Sequence, residues 1–173
     1  MLALTGTVML YACGGDKKEA TTTTPEATTP EAPTSMVETP ASPIVTTETT
    51  VTVNMEGDDQ MKYNVNEIKA KKGQTVTINL HNVGKMPKDA MAHNFILLKP
   101  GTDVAAFAQK AIEAKATDYF PESEKANVII HTKMLGPGET DAVTFPAPEP
   151  GTYEYICSFP GHYGVMRGKL IVE

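Results

Sequence analysis

Gly151-Thr-Tyr-Glu-Tyr-Ile-Cys157-Ser-Phe-Pro-Gly-His162-Tyr-Gly-Val-Met166-Arg-Gly-Lys-Leu-Ile-Val172 reads as two strands, Gly151 to Cys157 and Arg167 to Val172, joined by a loop carrying Gly and Pro. The same period of two recurs upstream. Val51, Val53 and Met55 alternate, as do Val76, Ile78 and Leu80 after a Lys72-Gly73 turn. His93, Phe95 and Leu97 share one face of a run whose other face is Asn94, Ile96 and Leu98, and Thr140 to Phe145 adds a further strand. Six or more short strands separated by turns predict an all-β sandwich or barrel. One stretch breaks the pattern: Val104 to Lys115 is Ala-rich with apolar residues at helical spacing, which predicts a single amphipathic helix inserted between strands.

The chain has 173 residues and a formal net charge of −6, with no basic stripe, which argues against nucleic acid as a partner. No apolar run reaches the roughly 18 residues of a membrane-spanning helix. Two cysteines, Cys13 and Cys157, allow at most one bridge. Met1 to Ala12 is apolar and uncharged and reads as a signal peptide that lacks its charged start, so that the true start lies upstream or the signal is atypical. Leu10-Tyr-Ala-Cys13 resembles a bacterial lipobox, in which the cysteine is lipidated and becomes the first mature residue. Residues 13–50 then form a Thr- and Pro-rich tether with six acidic residues against two lysines, too polar to bury anything and expected to be disordered. Residues 51–173 form one domain.

Chemistry concentrates in the loop already quoted. Cys157, His162 and Met166 bring a thiolate, an imidazole and a thioether within ten residues, and soft ligands of this kind suit copper. A trigonal site of two His and one Cys with a long axial Met needs one more imidazole. The domain offers His81, His93 and His131; His93 is the best placed, at the start of a buried strand, while His81 and His131 read as structural or surface residues. A single Cys, His or Met is ordinarily core filler or a surface group; the four together at this spacing are what point to a metal.

At these residues the chain resembles azurin, the bacterial blue-copper family. The likeness is carried by Met86-Pro-Lys-Asp-Ala-Met-Ala-His-Asn94, Ile130-His-Thr-Lys-Met-Leu-Gly136, and Cys157-Ser-Phe-Pro-Gly-His162 with Met166-Arg-Gly168. The resemblance implies a cupredoxin Greek-key β-sandwich with a helical flap over Val104 to Asn127. It implies one copper held by His93, Cys157 and His162, with Met166 and the Ala92 carbonyl as axial groups. Asn94 would tie the ligand loops together, and the Phe159 N–H would approach the sulfur. Three departures stand out: Ala92 replaces a Gly, the family disulfide has no cysteines here, and Asn82 occupies the position of a pH-linked histidine. The lipobox and tether resemble membrane-tethered relatives such as auracyanins.

The function so implied is single-electron transfer outside the cytoplasm, without catalysis or a small-molecule substrate. A cytochrome or membrane redox complex would dock on an apolar patch around His162 that includes Met86, Met91, Phe159, Pro160 and Tyr163. The alternatives are copper storage or delivery, and a structural surface domain on a stalk.

Overall fold

The computed structural model describes residues 42–173. The signal peptide, Cys13 and most of the tether lie outside the described residues. The described chain runs through nine strands: β1 (Ile44–Thr46), β2 (Thr50–Gly57), β3 (Glu67–Ala70), β4 (Thr75–Asn82), β5 (Ile96–Leu98), β6 (Val128–His131), β7 (Thr140–Pro146), β8 (Gly151–Ile156) and β9 (Arg167–Val172). They form two sheets, ordered β1-β2-β4-β7 and β3-β9-β8-β5-β6. The chain passes from one sheet to the other after β2, β3, β4, β6 and β7, so β2 lies parallel to β4 and β3 parallel to β9, while all other pairs are antiparallel. This is the expected sandwich with Greek-key connections.

The alternation in β2 and β4 has its physical reason in the space between the sheets. Val51, Val53, Met55, Val76, Ile78 and Leu80 all point inward and are buried, packed with Phe95, Leu97, Tyr155 and Leu170. Their neighbours along the strands carry Thr and Asn outward, where Asn79 Nδ2 donates to Asn54 Oδ1 at 3.0 Å across the β2–β4 pair. β5 is apolar on both faces because it is covered on both. Leu97, with Phe95 just before the strand, faces the main core. Ile96 and Leu98 face a second core with Ile156, Phe107 and Phe120.

That second core is roofed by the flap. Helix α1 (Val104–Glu113) starts at Asp103, whose Oδ1 accepts the N–H groups of Ala105 and Ala106 at 3.0 Å each. It buries Phe107, Ala108 and Ala111, one stripe at helical spacing. It ends two residues earlier than Lys115 and is followed by 3-10 turns at Lys115–Thr117 and Glu122–Asn127, so the flap spans the range expected. Among the described residues no helix is long and apolar enough to cross a membrane.

Two boundaries differ from the sequence reading. The tether was expected to run to Thr50, yet Ile44–Thr46 forms β1 and pairs antiparallel with Val51–Val53. Ile44 packs against the main core, and Asn54 N–H donates to the Pro43 carbonyl at 2.8 Å, so this apolar pair escapes the composition that surrounds it. The second difference concerns His93, which precedes β5 rather than beginning it. It makes an isolated bridge to Leu135 instead.

The β1 contact generates a test. A chain beginning at Val51 loses the edge strand and Ile44, and is expected to be about 1–2 kcal/mol less stable than one beginning at Ser42. Equal urea midpoints for the two would remove β1 from the account.

Candidate metal centre

Four loops meet at one end of the sandwich. The β8–β9 loop is the tightest. Cys157 N–H donates to the Met166 carbonyl at 3.0 Å, so the loop opens and closes on a strand-like pair. Between them His162 N–H donates to Phe159 O at 3.0 Å, and Met166 N–H to His162 O at 2.8 Å. Cys157, His162 and Met166 are thereby fixed relative to one another by ten residues of chain. The β4–β5 loop supplies the rest. His93 exchanges both backbone hydrogen bonds with Leu135, at 3.0 and 2.7 Å, which anchors it to the β6–β7 loop.

The result is a cluster of three buried donors. One ligand atom each from His93, Cys157 and His162 lies within 4.8 Å of the others. Cys157 Sγ sits 3.5 Å from His162 Nδ1 and 3.8 Å from the Ala92 carbonyl oxygen. The two imidazole rings stand 5.2 Å apart, centre to centre. Met166 is fully buried and packs with Ala92, Met134, Cys157 and Phe159 around the cluster. His81 and His131 stand elsewhere: His81 lies on the outer face of β4, and His131 is stacked on Phe120 with ring centres 4.1 Å apart.

Asn94 links the two ligand-bearing loops. Its Nδ2 donates to Ser158 Oγ and its Oδ1 accepts the Ser158 N–H, both at 2.9 Å. Asn94 and Ser158 adjoin His93 and Cys157, so this reciprocal pair sets the spacing of two donors. Sequence reading singled out Asn94 but not its partner, because Ser158 carries no signal of its own. It also missed Gly57, at the end of β2. A Cβ there would come within 2.8 Å of Met166 Cε and 3.0 Å of His93 Cδ2, so the absence of a side chain is what lets both residues approach. Met86, which the sequence did single out, is exposed, and Val165, three residues after His162 and 61% exposed, is apolar surface that it did not. Met91, Pro160 and Tyr163 are half-buried, while Phe159 and His162 are almost wholly covered.

The electrostatics ask for a cation. Burial pushes the Cys157 thiol up to about 12, although the backbone N–H groups of Asn94 and Phe159 pull it back down. Burial, with neighbouring His93, pushes His162 down to about 4. Burial also lowers His93; the Asp58 carbonyl, which approaches the ring short of hydrogen-bonding geometry, and the Asp58 and Asp59 carboxylates offset part of this. Both ring nitrogens of His93 are buried with no hydrogen-bond partner, a costly arrangement for a polar group. Neutral imidazoles beside a thiol that cannot ionise alone form a donor set that a soft cation would satisfy. Two His, one Cys and a nearby Met match one copper ion.

Fold and site together define a cupredoxin with a single type 1 copper centre. Comparison with known proteins agrees: residues 49–173 match the model of the copper binding proteins, plastocyanin/azurin family, and the chain belongs to that family. It is similar to azurin of Pseudomonas chlororaphis, 37% identical over 125 residues that cover 70% of this chain and 97% of the relative. Azurin-2 of Alcaligenes xylosoxydans xylosoxydans is 41% identical over 120 residues, 67% of this chain and 92% of that one. Among solved structures, auracyanin A, a "blue" copper protein of Chloroflexus aurantiacus, matches with a TM-score of 0.64 and 36% identity, covering 72% of this chain and 99% of its own. The dithionite-reduced auracyanin of Roseiflexus castenholzii matches with 0.63 and 36%, covering 70% and 96%. The chain is an azurin- and auracyanin-like blue copper electron carrier.

Two buried neutral imidazoles carry a pH signature in the metal-free protein. Burial lowers both below the ordinary 6.5, His162 to about 4, so below pH 6.5 the unfolded chain binds more protons than the folded one. Stability is highest above pH 6.5 and is lost as pH falls, by up to about 1.4 kcal/mol per pH unit for His162. Urea midpoints of the metal-free chain are expected to fall as pH drops from about 6.5 to about 5, above the range where carboxylates titrate. A flat profile there would contradict the assignment.

Proposed function

We propose that His93 and His162 supply two imidazole nitrogens, Cys157 the thiolate, Met166 a distant thioether and Ala92 its carbonyl oxygen to one copper ion. The observation that carries this is the packing of three donor atoms within 4.8 Å in a site buried from water. Bound there, copper supplies a one-electron couple between Cu(I) and Cu(II). The residues keep the cage rigid: the short Cys157–Met166 loop, the Asn94–Ser158 pair and the closely packed Gly57 leave little room for rearrangement between oxidation states. N–H groups at Asn94 and Phe159 withdraw charge from the sulfur, and the apolar shell keeps solvent out. A site this enclosed favours electron carriage over metal storage, which needs an accessible, exchangeable centre.

The redox partner is a cytochrome or a membrane redox complex that docks on apolar surface near His162, formed by Met86, Met91, Phe159, Pro160 and Tyr163 and extended by Val165. A small apolar contact permits fast release after the electron has passed. The apolar leader and the lipobox-like Cys13 support a location outside the cytoplasm with a lipid anchor in a bacterial membrane. The Thr- and Pro-rich segment up to the start of β1 serves as its leash.

Cys157→Ser is expected to abolish an intense visible absorption on copper addition, while Met166→Leu retains copper and raises the reduction potential. A Cys157→Ser protein that keeps the colour would refute the thiolate assignment. For the anchor, Cys13→Ala is expected to move the protein from the membrane fraction to the soluble extracytoplasmic fraction. Continued membrane association of that variant would rule out the lipid.

A further inference from the structure

The peptide joining Asn94 to Phe95 is held from both sides. Its carbonyl accepts a hydrogen bond from the Tyr63 hydroxyl, and its N–H donates to Thr132 Oγ1 at 2.9 Å. Both holders are themselves fixed. Thr132 is 2% exposed and its hydroxyl donates to the Lys133 carbonyl at 3.0 Å. Tyr63 pairs with Gly57 in an isolated antiparallel bridge, and its ring meets Tyr155 edge-on at 5.8 Å. The loop that leads to it is closed by Asp58 Oδ1, which accepts the N–H groups of Gln60 and Lys62 at 2.9 and 3.1 Å.

A peptide plane bonded at both its oxygen and its nitrogen cannot rotate without losing one of those bonds, and a buried group left unpaired costs more than an ordinary hydrogen bond is worth. Asn94 transmits that constraint to the metal centre. Its side chain clasps Ser158, the neighbour of Cys157, through both its amide nitrogen and its amide oxygen. The clamped peptide is bonded directly to the Asn94 Cα, so a displacement of that plane displaces the atom that carries the clasping side chain.

We propose that Tyr63 is a positioning residue of the metal centre: its hydroxyl, together with Thr132, clamps the Asn94–Phe95 peptide and so holds the Asn94 side chain on Ser158, the clasp that spaces the His93 and Cys157 loops. This rests on the copper reading. The clamp belongs to the hydroxyl alone, because a Phe at position 63 retains the ring that packs on Tyr155. Loss of the clamp loosens the clasp between the two ligand loops, which weakens the hold on copper and shifts the reduction potential.

The test pairs Tyr63→Phe with Tyr155→Phe. The Tyr155 hydroxyl donates to the Val65 carbonyl at 2.9 Å in the same core, so each variant loses one buried hydrogen bond, but only Tyr63 touches Asn94. Both are expected to unfold at lower denaturant. Only Tyr63→Phe is expected to bind copper more weakly, on the order of tenfold, to show a shifted reduction potential, and in the metal-free chain to exchange the Phe95 and Ser158 amides faster. Wild-type affinity, potential and exchange in Tyr63→Phe, with only the stability loss that Tyr155→Phe shares, would overturn the proposal. If Tyr63→Phe does not fold, Thr132→Val removes the other end of the clamp and is expected to give the same pattern, while Thr132→Ser keeps it intact; a Thr132→Val protein with wild-type exchange at Phe95 would refute the clamp. A wild-type chain that fails to take up copper would sink the copper reading, and amide exchange in the metal-free variants would still report on the clamp.

Discussion

The structure turns on a cost that protein atoms alone do not offset. Two buried ring nitrogens on His93 lack partners, and beside them stands a thiol that burial forbids from ionising. In a closed apolar shell such groups are destabilising unless something positive sits among them. The short ligand loop, the paired backbone of His93 and Leu135, the Asn94–Ser158 clasp and the missing side chain at Gly57 hold that arrangement in place. The stability of the fold elsewhere, built from the interleaved Val, Ile and Leu of β2 and β4 packed with Phe95 and the tyrosines of β8, is what anchors these loops.

Rigidity also explains why the donors come from separated parts of the chain. Three of the four side-chain candidates share the ten residues from Cys157 to Met166, which fixes their mutual positions by local hydrogen bonds. The fourth, His93, arrives 64 residues earlier and is tied to a third loop through Leu135. A single loop would flex as a unit; a site divided between loops bonded to one another moves only if the sandwich does. An electron carrier benefits from this, since little has to rearrange when the charge on the metal changes.

Much of this was legible in the sequence. Alternation marks β2 and β4, bounding turns mark β8 and β9, and the Cys157–Met166 loop announces its chemistry because three metal-binding side chains fall in one short connection between strands. β5 was readable on both faces, since Phe95 and Leu97 alternate with Ile96 and Leu98. What escaped was short or long-range. β3 is four residues, Glu67-Ile-Lys-Ala70, in a charged setting, and its pairing with β9 is visible only in three dimensions. β6 reads as a plain apolar run, Val128-Ile-Ile, and its bulge opposite Leu97 and Leu98 has no local marker. β1 was hidden by a Thr- and Pro-rich neighbourhood. Ser158, Gly57, Tyr63 and Thr132 are ordinary residues whose roles exist only through partners distant in sequence.

The central claim is that this end of the fold holds one copper in a rigid thiolate site that cycles by single electrons. The most direct measurement is a visible and EPR titration of the purified chain with Cu(II), followed by ascorbate and reoxidation. The account requires an intense blue band that saturates at one equivalent, narrow copper hyperfine splitting, and reversible bleaching with the metal retained. A colourless copper complex, or copper that leaves on reduction, would contradict it.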